Sequence, residues 1–284
     1  MSKKSAISII LLGGTFMSFV GLYMRLLTQA DGFQILFYRS LSLCVIVAVI
    51  SCLRRRIMPA TFLKCLDYDD FKMGLALALA FTCYVFAMLF TSVASTLFIL
   101  SATPFLAAVI GLVWIDEKPK RITWVAMIFA AFGIYLMVQE GYQLKQSFGN
   151  IMALLSATFF ALMLVSARKS GKQDVLGGTF LGGTFCILIG ALATIVTGAG
   201  FVLISRDLII ILIMGAFGIG IGIAFVTWGA SYVPAAEVSL LVLIESVLGP
   251  IWPWIFLGEA MSVTEVIGGL TILSSVVLYV RFSA

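Results

Sequence analysis

The residues of this sequence able to do chemistry on a small solute stand inside long apolar runs. Glu245 lies in the run VSLLVLIESVLGPIWPWIFLGE (238–259), about nine residues into a stretch long enough to cross a bilayer. A charged side chain at that depth costs roughly 2.5–3.5 kcal/mol on insertion scales, so it reads by default as functional. It would either bind a substrate ammonium or hold a coupling proton. The structural alternative is a carboxyl hydrogen-bonded to a neighbouring helix. Arg39, beside Tyr38, suits bidentate capture of a substrate carboxylate or an ion pair within the bundle. Arg25 can instead snorkel to the interface. Thr15, Ser18, Leu22 and Arg25 share one helical face and make a polar stripe. Tyr84, Trp228 and Trp252, the last one heptad from Glu245, would supply apolar walls with hydrogen-bonding edges, the alternative being simple packing. Thr103, next to Pro104, completes the set of candidate substrate-binding residues.

The elements that must position these groups are membrane helices. The chain has 284 residues, of which 62% are hydrophobic and 11% charged, with a mean hydropathy of +1.16. Soluble chains sit at roughly 45–50% apolar and about 25% charged. Apolar runs of about 20 residues recur near 6–27, 33–53, 72–92, 95–115, 122–139, 149–167, 175–197, 208–230, 236–257 and 262–281. That predicts an all-α polytopic protein of ten transmembrane helices. More spans follow the first, so it is not read as a cleaved signal peptide.

The net charge of +5 follows orientation rather than a nucleic-acid partner. With the N-terminus inside, Lys3, Lys4, Arg54, Arg55, Arg56, Lys64, Lys72, Lys118, Lys120, Arg121, Arg168, Lys169, Lys172 and Arg281 fall on the cytoplasmic side, while the outside keeps only Lys145 and Arg206. Both termini are therefore expected in the cytoplasm. The chain has no histidine, and Cys44, Cys52, Cys65, Cys83 and Cys186 are scattered without metal or redox spacing. No cofactor, metal centre or catalytic constellation is expected, which argues against an enzyme. The glycines at 215, 218, 220 and 222 lack the strand a phosphate loop requires and read as close helix packing.

The two halves of the chain repeat weakly. Thr15-Phe16 and Arg25 correspond to Thr158-Phe159 and Arg168. Ala94, Leu106, Glu117, Leu136 and Val138 recur at a constant offset as Ala236, Leu248, Glu259, Leu278 and Val280. Each copy holds an odd number of spans, so the second must enter the membrane inverted. Such repeats are a transporter architecture with the site near the midplane, where the copies meet. Pro104, Pro250 and Pro253 are expected to bend their helices there.

With WIDE at 114–117, FLGE at 256–259 and the Tyr38-Arg39 pair, the ten-span layout resembles the EamA-type members of the drug/metabolite transporter superfamily over essentially its whole length. The resemblance divides the chain into repeats at 1–141 and 148–284. Ser246 stands where that family places a proline after the mid-helix Glu, and Asp116 where a glycine is common. The resemblance implies a secondary transporter of small organic metabolites, amino acids or related solutes, working by alternating access across the inner (plasma) membrane. Alternatives are a carrier of a larger metabolite, such as S-adenosylmethionine or a nucleoside, and a passive channel. The expected partners are a small-molecule substrate, the lipid bilayer and protons as coupling ion, with no nucleic acid, in a monomer or homodimer. Glu117, beside Lys118, Lys120 and Arg121, is expected to form a salt bridge at the cytoplasmic surface.

Overall fold

A chain in hydrocarbon must satisfy its own backbone amides, which leaves an isolated run only the helix. Every regular element among the described residues is helical. The computed structural model describes residues 2–91, 96, 99–138, 147–172, 174–198, 200–258 and 263–283, with the backbone alone at 137, 138, 250, 265 and 283. In chain order the helices are α1 (Lys3–Leu26), α2 (Gly32–Arg55), α3 (Pro59–Lys64), α4 (Tyr68–Phe90), α5 (Thr103–Ile115), α6 (Arg121–Val138), α7 (Ser147–Lys169) and α8 (Leu176–Thr197). They continue with α9 (Ser205–Ile213), a π-helical segment (Met214–Ile221), α10 (Gly222–Ala230), α11 (Ala235–Val242), α12 (Ile244–Leu257) and α13 (Val263–Ser283). Seven helical stretches are long and apolar enough to cross a membrane, α9 through α10 counting as one and α11 with α12 as another. Shorter apolar helices, α5, α6 and α13, accompany them. The fold is thus an all-helical, multi-pass membrane protein.

Local chemistry sets the ends. The Asp31 side chain accepts the amides of Phe33 and Gln34, while Gln34 reaches back to the Asp31 amide, starting α2. Asp67 and Asp70 start α4 in the same way. Gly198 and Gly258 end α8 and α12 at φ 70°, the left-handed conformation that costs glycine least.

Two predicted spans are discontinuous. The run expected at about 95–115 is interrupted by a turn at 101–102, and α5 begins at Thr103. Pro104 sits in its first turn, where a missing amide costs nothing, so it starts a helix rather than bending one. The run expected at about 236–257 breaks at Leu243, immediately before Glu245, and α12 then continues through residues 250 and 253. The prolines are not the cause of that break. Leu243 stands at the same offset from Ser101 as Glu245 from Thr103 and Glu259 from Glu117.

The helix contacts are interdigitated. The most extensive pairs are α4 with α7, α6 with α13, α2 with α8, α4 with α8, and α1 with α10 and α12. Each pairs a helix from before residue 139 with one from after 146. Small residues permit this. A Cβ at Gly13 would meet the Gly222 carbonyl 2.7 Å away, and one at Gly74 would meet the Gly178 carbonyl at 2.9 Å.

The bundle has two chemically different ends. At the end carrying both termini lie the ion pairs Lys3–Glu237 at 3.1 Å, Arg55–Asp174 at 2.9 Å, Arg168–Glu117 at 3.0 Å, and Lys172 with Asp67 and Asp70 at 2.5 and 2.8 Å. At the opposite end, Asp207 accepts the amides of Thr28, Gln29 and Ala30, and Gln34 donates to the Gly200 carbonyl.

Candidate functional site

The site is built on α1. Gly14 has no side chain, so Ile244 and the Val242 carbonyl press against α1 and bring the Leu243 break to its centre. From there Glu245, Gly249 and Trp252 form one stripe of α12. Gly249 opposes the Ser18 carbonyl, and Trp252 Nε1 donates to Ser18 Oγ at 2.7 Å. The Trp252 ring also stacks on Phe19, centroids 4.0 Å apart and planes 16° from parallel. Ser18 passes its own proton to the Thr15 carbonyl at 2.6 Å, and the Thr15 hydroxyl donates to the Leu11 carbonyl. This side of the site is a rigid wall whose donors are already used.

Across from it stands Arg39 of α2, only 1% exposed. Neither Nε nor Nη2 has a hydrogen-bond partner. The guanidinium carbon lies 5.1 Å from the Phe81 ring centre, a cation–π contact from α4. The Arg39 backbone is clamped: Ser42 Oγ donates to its carbonyl at 3.0 Å, and Gly215 of the π-helical segment packs against that same carbonyl. Single π-helical turns recur at functional sites because they shift a helix face against its neighbour.

Tyr84 of α4 stands one helical turn beyond Phe81, whose ring covers the Arg39 guanidinium. Tyr84 and Glu245 are half-buried, and both lie on stripes that face neighbouring helices. Among the described residues, no protein group hydrogen-bonds to the Glu245 carboxyl or the Tyr84 hydroxyl. A guanidinium on α2, a phenol on α4 and a carboxyl on α12 thus each lack a protein hydrogen bond at a polar edge among the described residues, and the guanidinium lies against the α4 ring of Phe81, one turn from Tyr84.

Not every predicted site residue joins this cluster. Thr15 and Trp252 flank it. Tyr38 projects elsewhere and donates to the Phe201 carbonyl at the end away from the termini. Thr103 is buried at the start of α5 and donates to the Leu100 carbonyl at 2.6 Å. Trp228 lies near the terminus-bearing end, where Arg54 covers its ring at 3.9 Å. Three contributors were not singled out from the sequence. Phe81 stands one helical turn from Tyr84 and could have been found by that spacing. Phe19 and Cys186, whose thiol lies within electrostatic reach of Arg39, carry no such signal.

The terminus-bearing end shows how this protein treats charges that serve structure. Glu117 takes Arg168 Nε on one oxygen and the Ala235 amide on the other, while Arg168 Nη1 donates to the Ser231 carbonyl at 2.7 Å. Buried Glu237 is held by Thr123, Tyr279 and Lys3. The hydrogen bond from Lys172, with its positive charge close by, draws the Asp67 carboxyl down to about 2, against a small opposing effect of burial. A separate cavity of about 550 Å³ opens between α5, α6 and α7 and is lined by apolar Ile99, Phe105, Ile151 and Leu154 with Asn150 at its edge. Among the described residues no cluster of His, Cys, Asp and Glu could hold a metal.

The family description "EamA-like transporter family" matches residues 4–139 and again 147–281. Two "Uncharacterized transporter" proteins of Archaeoglobus fulgidus are each 24% identical to the chain. One aligns over 221 residues, 76% of this chain and 70% of the relative, and the other over 222 residues, 74% and 76%. A solved structure titled "Crystal structure of protein" superimposes with a TM-score of 0.80 at 16% identity, covering 98% of both chains. At that identity the likeness shows a shared fold.

Proposed function

The chain belongs to the EamA-like transporter family, within the drug/metabolite transporter superfamily, and we propose that it is a secondary carrier of small organic metabolites, amino acids or related solutes. Substrate would bind in the chamber between Arg39, Tyr84 and Glu245. The observation that carries this reading is that Arg39 is buried with two guanidinium nitrogens lacking a hydrogen-bond partner, on a helix that packs against helices from the other part of the chain. Polar groups left open at that depth are costly, and a bound solute restores their interactions.

Alternating access follows from the packing. Exchanging each span with the one five places later turns the contact of α1 with α12 into that of α7 with α5, and α1 with α10 into α7 with α4. This pseudo-symmetry supports inverted repeats at 1–141 and 148–284 that rock about the chamber. The two broken helices are the hinged walls, with Thr103 and Glu245 in equivalent places. Tyr84 and Glu245 give a proton a place to move as substrate enters or leaves, so coupling runs through Glu245. The terminus-bearing end is the cytoplasmic one on the basic-residue bias, in the inner (plasma) membrane. On this reading Trp228 serves the cytoplasmic mouth and Tyr38 the outer one.

Counterflow in proteoliposomes tests the reading. Preloading with unlabelled amino acids should accelerate uptake of the labelled solute, with saturation, and Glu245→Gln should lose this while eluting as a folded monomer or dimer. Flux that rises linearly with concentration and ignores preloading would replace the carrier with a channel.

A further inference from the structure

We propose that the solute entering this chamber carries a carboxylate, and that it docks side-on to the Nε–Nη2 edge of Arg39. This rests on the reading of the chamber as the transport site. The argument begins with which atoms are open. Nε and Nη2 are the two guanidinium nitrogens without a partner, and their hydrogens project along the same edge of the planar fork. That edge is one of the two on which arginine offers two parallel N–H bonds to two oxygens of one group. The ring of Phe81 covers the cation without using those hydrogens. No ion pair joins Arg39 to an acidic residue among the described residues, in contrast to Arg55 and Arg168. A cation this buried without a counter-charge is strongly disfavoured, so a ligand that brings the negative charge gains more here than anywhere on the surface.

The local charge also selects among anions. Arg39 supplies one positive charge and two aligned donors. A carboxylate spreads one charge over two oxygens and matches both counts. A phosphate monoester brings about −1.5 to −2 at neutral pH, which this chamber cannot balance. The substrate class is therefore a monocarboxylate, with the carboxylate end setting entry.

The purified full-length protein in detergent provides the test, by thermal unfolding with alanine, leucine and phenylalanine, their primary amides, the amines lacking the carboxylate, and 3-methylbutyl phosphate. Only carboxylates should raise Tm. Arg39→Lys keeps the charge but loses the fork, and should weaken binding of the stabilising carboxylate by about tenfold or more. Arg39→Gln should remove the shift, with its ligand-free melting curve reporting that it still folds. The inference is overturned if an amide or amine stabilises as well as its parent acid, if the phosphate stabilises instead, if no carboxylate of the panel acts, or if Arg39→Lys binds like the wild type. Counterflow separates the two claims. Saturable exchange of carboxylate-free solutes, indifferent to Arg39, sinks this inference and keeps the carrier. Arg39-dependent binding of carboxylates without any exchange sinks the carrier and keeps this site.

Discussion

Arg168 and Arg39 both sit between helices from the two parts of the chain, yet their surroundings are opposite. Arg168 is about one-third exposed and meets Glu117 and the Ser231 carbonyl. Arg39 is almost wholly buried and leaves two nitrogens open. The same contrast separates the two carboxylates of the second half: Glu237 is surrounded by Lys3, Thr123 and Tyr279, whereas Glu245 has no protein hydrogen bond among the described residues. The charges that hold the fold together at the terminus-bearing end are saturated, as is Asp207 at the opposite one. On the proposed reading, the charges left without a hydrogen-bond partner are those kept for a ligand.

The comparison breaks first at Arg39. Arg39→Met should abolish solute exchange while stabilising the fold, by about 1–4 kcal/mol as seen when buried charges give way to apolar groups. Melting curves with proteoliposome assays check both, and a variant that unfolds would make Arg39 structural. Glu237→Ala is the counterpart, removing the buried carboxyl that Lys3, Thr123 and Tyr279 share, and should cost about 3–5 kcal/mol. Glu117→Gln keeps the shape, but its amide nitrogen cannot accept, so one of the two hydrogen bonds is lost and the other loses its charge, for a loss of about 1.5–3 kcal/mol. Neither belt substitution should alter solute affinity by itself.

Gly215→Ala tests how the chamber is supported. An added methyl would collide with the Arg39 carbonyl and Ser42 Oγ, so about 1–3 kcal/mol of overpacking is expected. Unlike the belt variants, it should also weaken solute binding, because Arg39 moves with its backbone. The smallest effect is in acid. Asp67 is held at about 2 in the fold, below an unfolded value near 3.9. Its contribution is complete above that unfolded value and disappears as pH falls through about 2. Asp67→Asn should therefore flatten the loss of stability between about pH 4 and 2, slightly, since the group is half exposed.

Much of this was legible from residues alone. Long apolar runs separated by short polar turns placed the helices to within a few residues, because a membrane leaves the backbone few other options. Glu245 and Arg39 were visible for the same reason, as charges in the wrong solvent. What could not be read was which of them had partners, since Glu237 and Glu245 lie on the same apolar run and only packing distinguishes them. The break at Leu243 carries no sequence signal of its own. Prolines 250 and 253 advertise a bend, but the discontinuity falls where Gly14 lets α1 approach, and that contact spans most of the chain. Trp228 and Tyr38 looked like pocket residues by type, yet helix rotation turns one toward Arg54 and the other toward Phe201.

The central claim is that substrate occupies the chamber among α1, α2, α4 and α12. A structure solved with a brominated amino acid that the counterflow assay shows to be exchanged tests it most directly, because anomalous scattering locates the bromine independently of any model of the ligand. The account predicts a single peak in that chamber, with the carboxylate on Arg39, absent in Arg39→Gln. A peak instead in the apolar cavity beside Phe105 and Ile151, unchanged by Arg39→Gln, would contradict it.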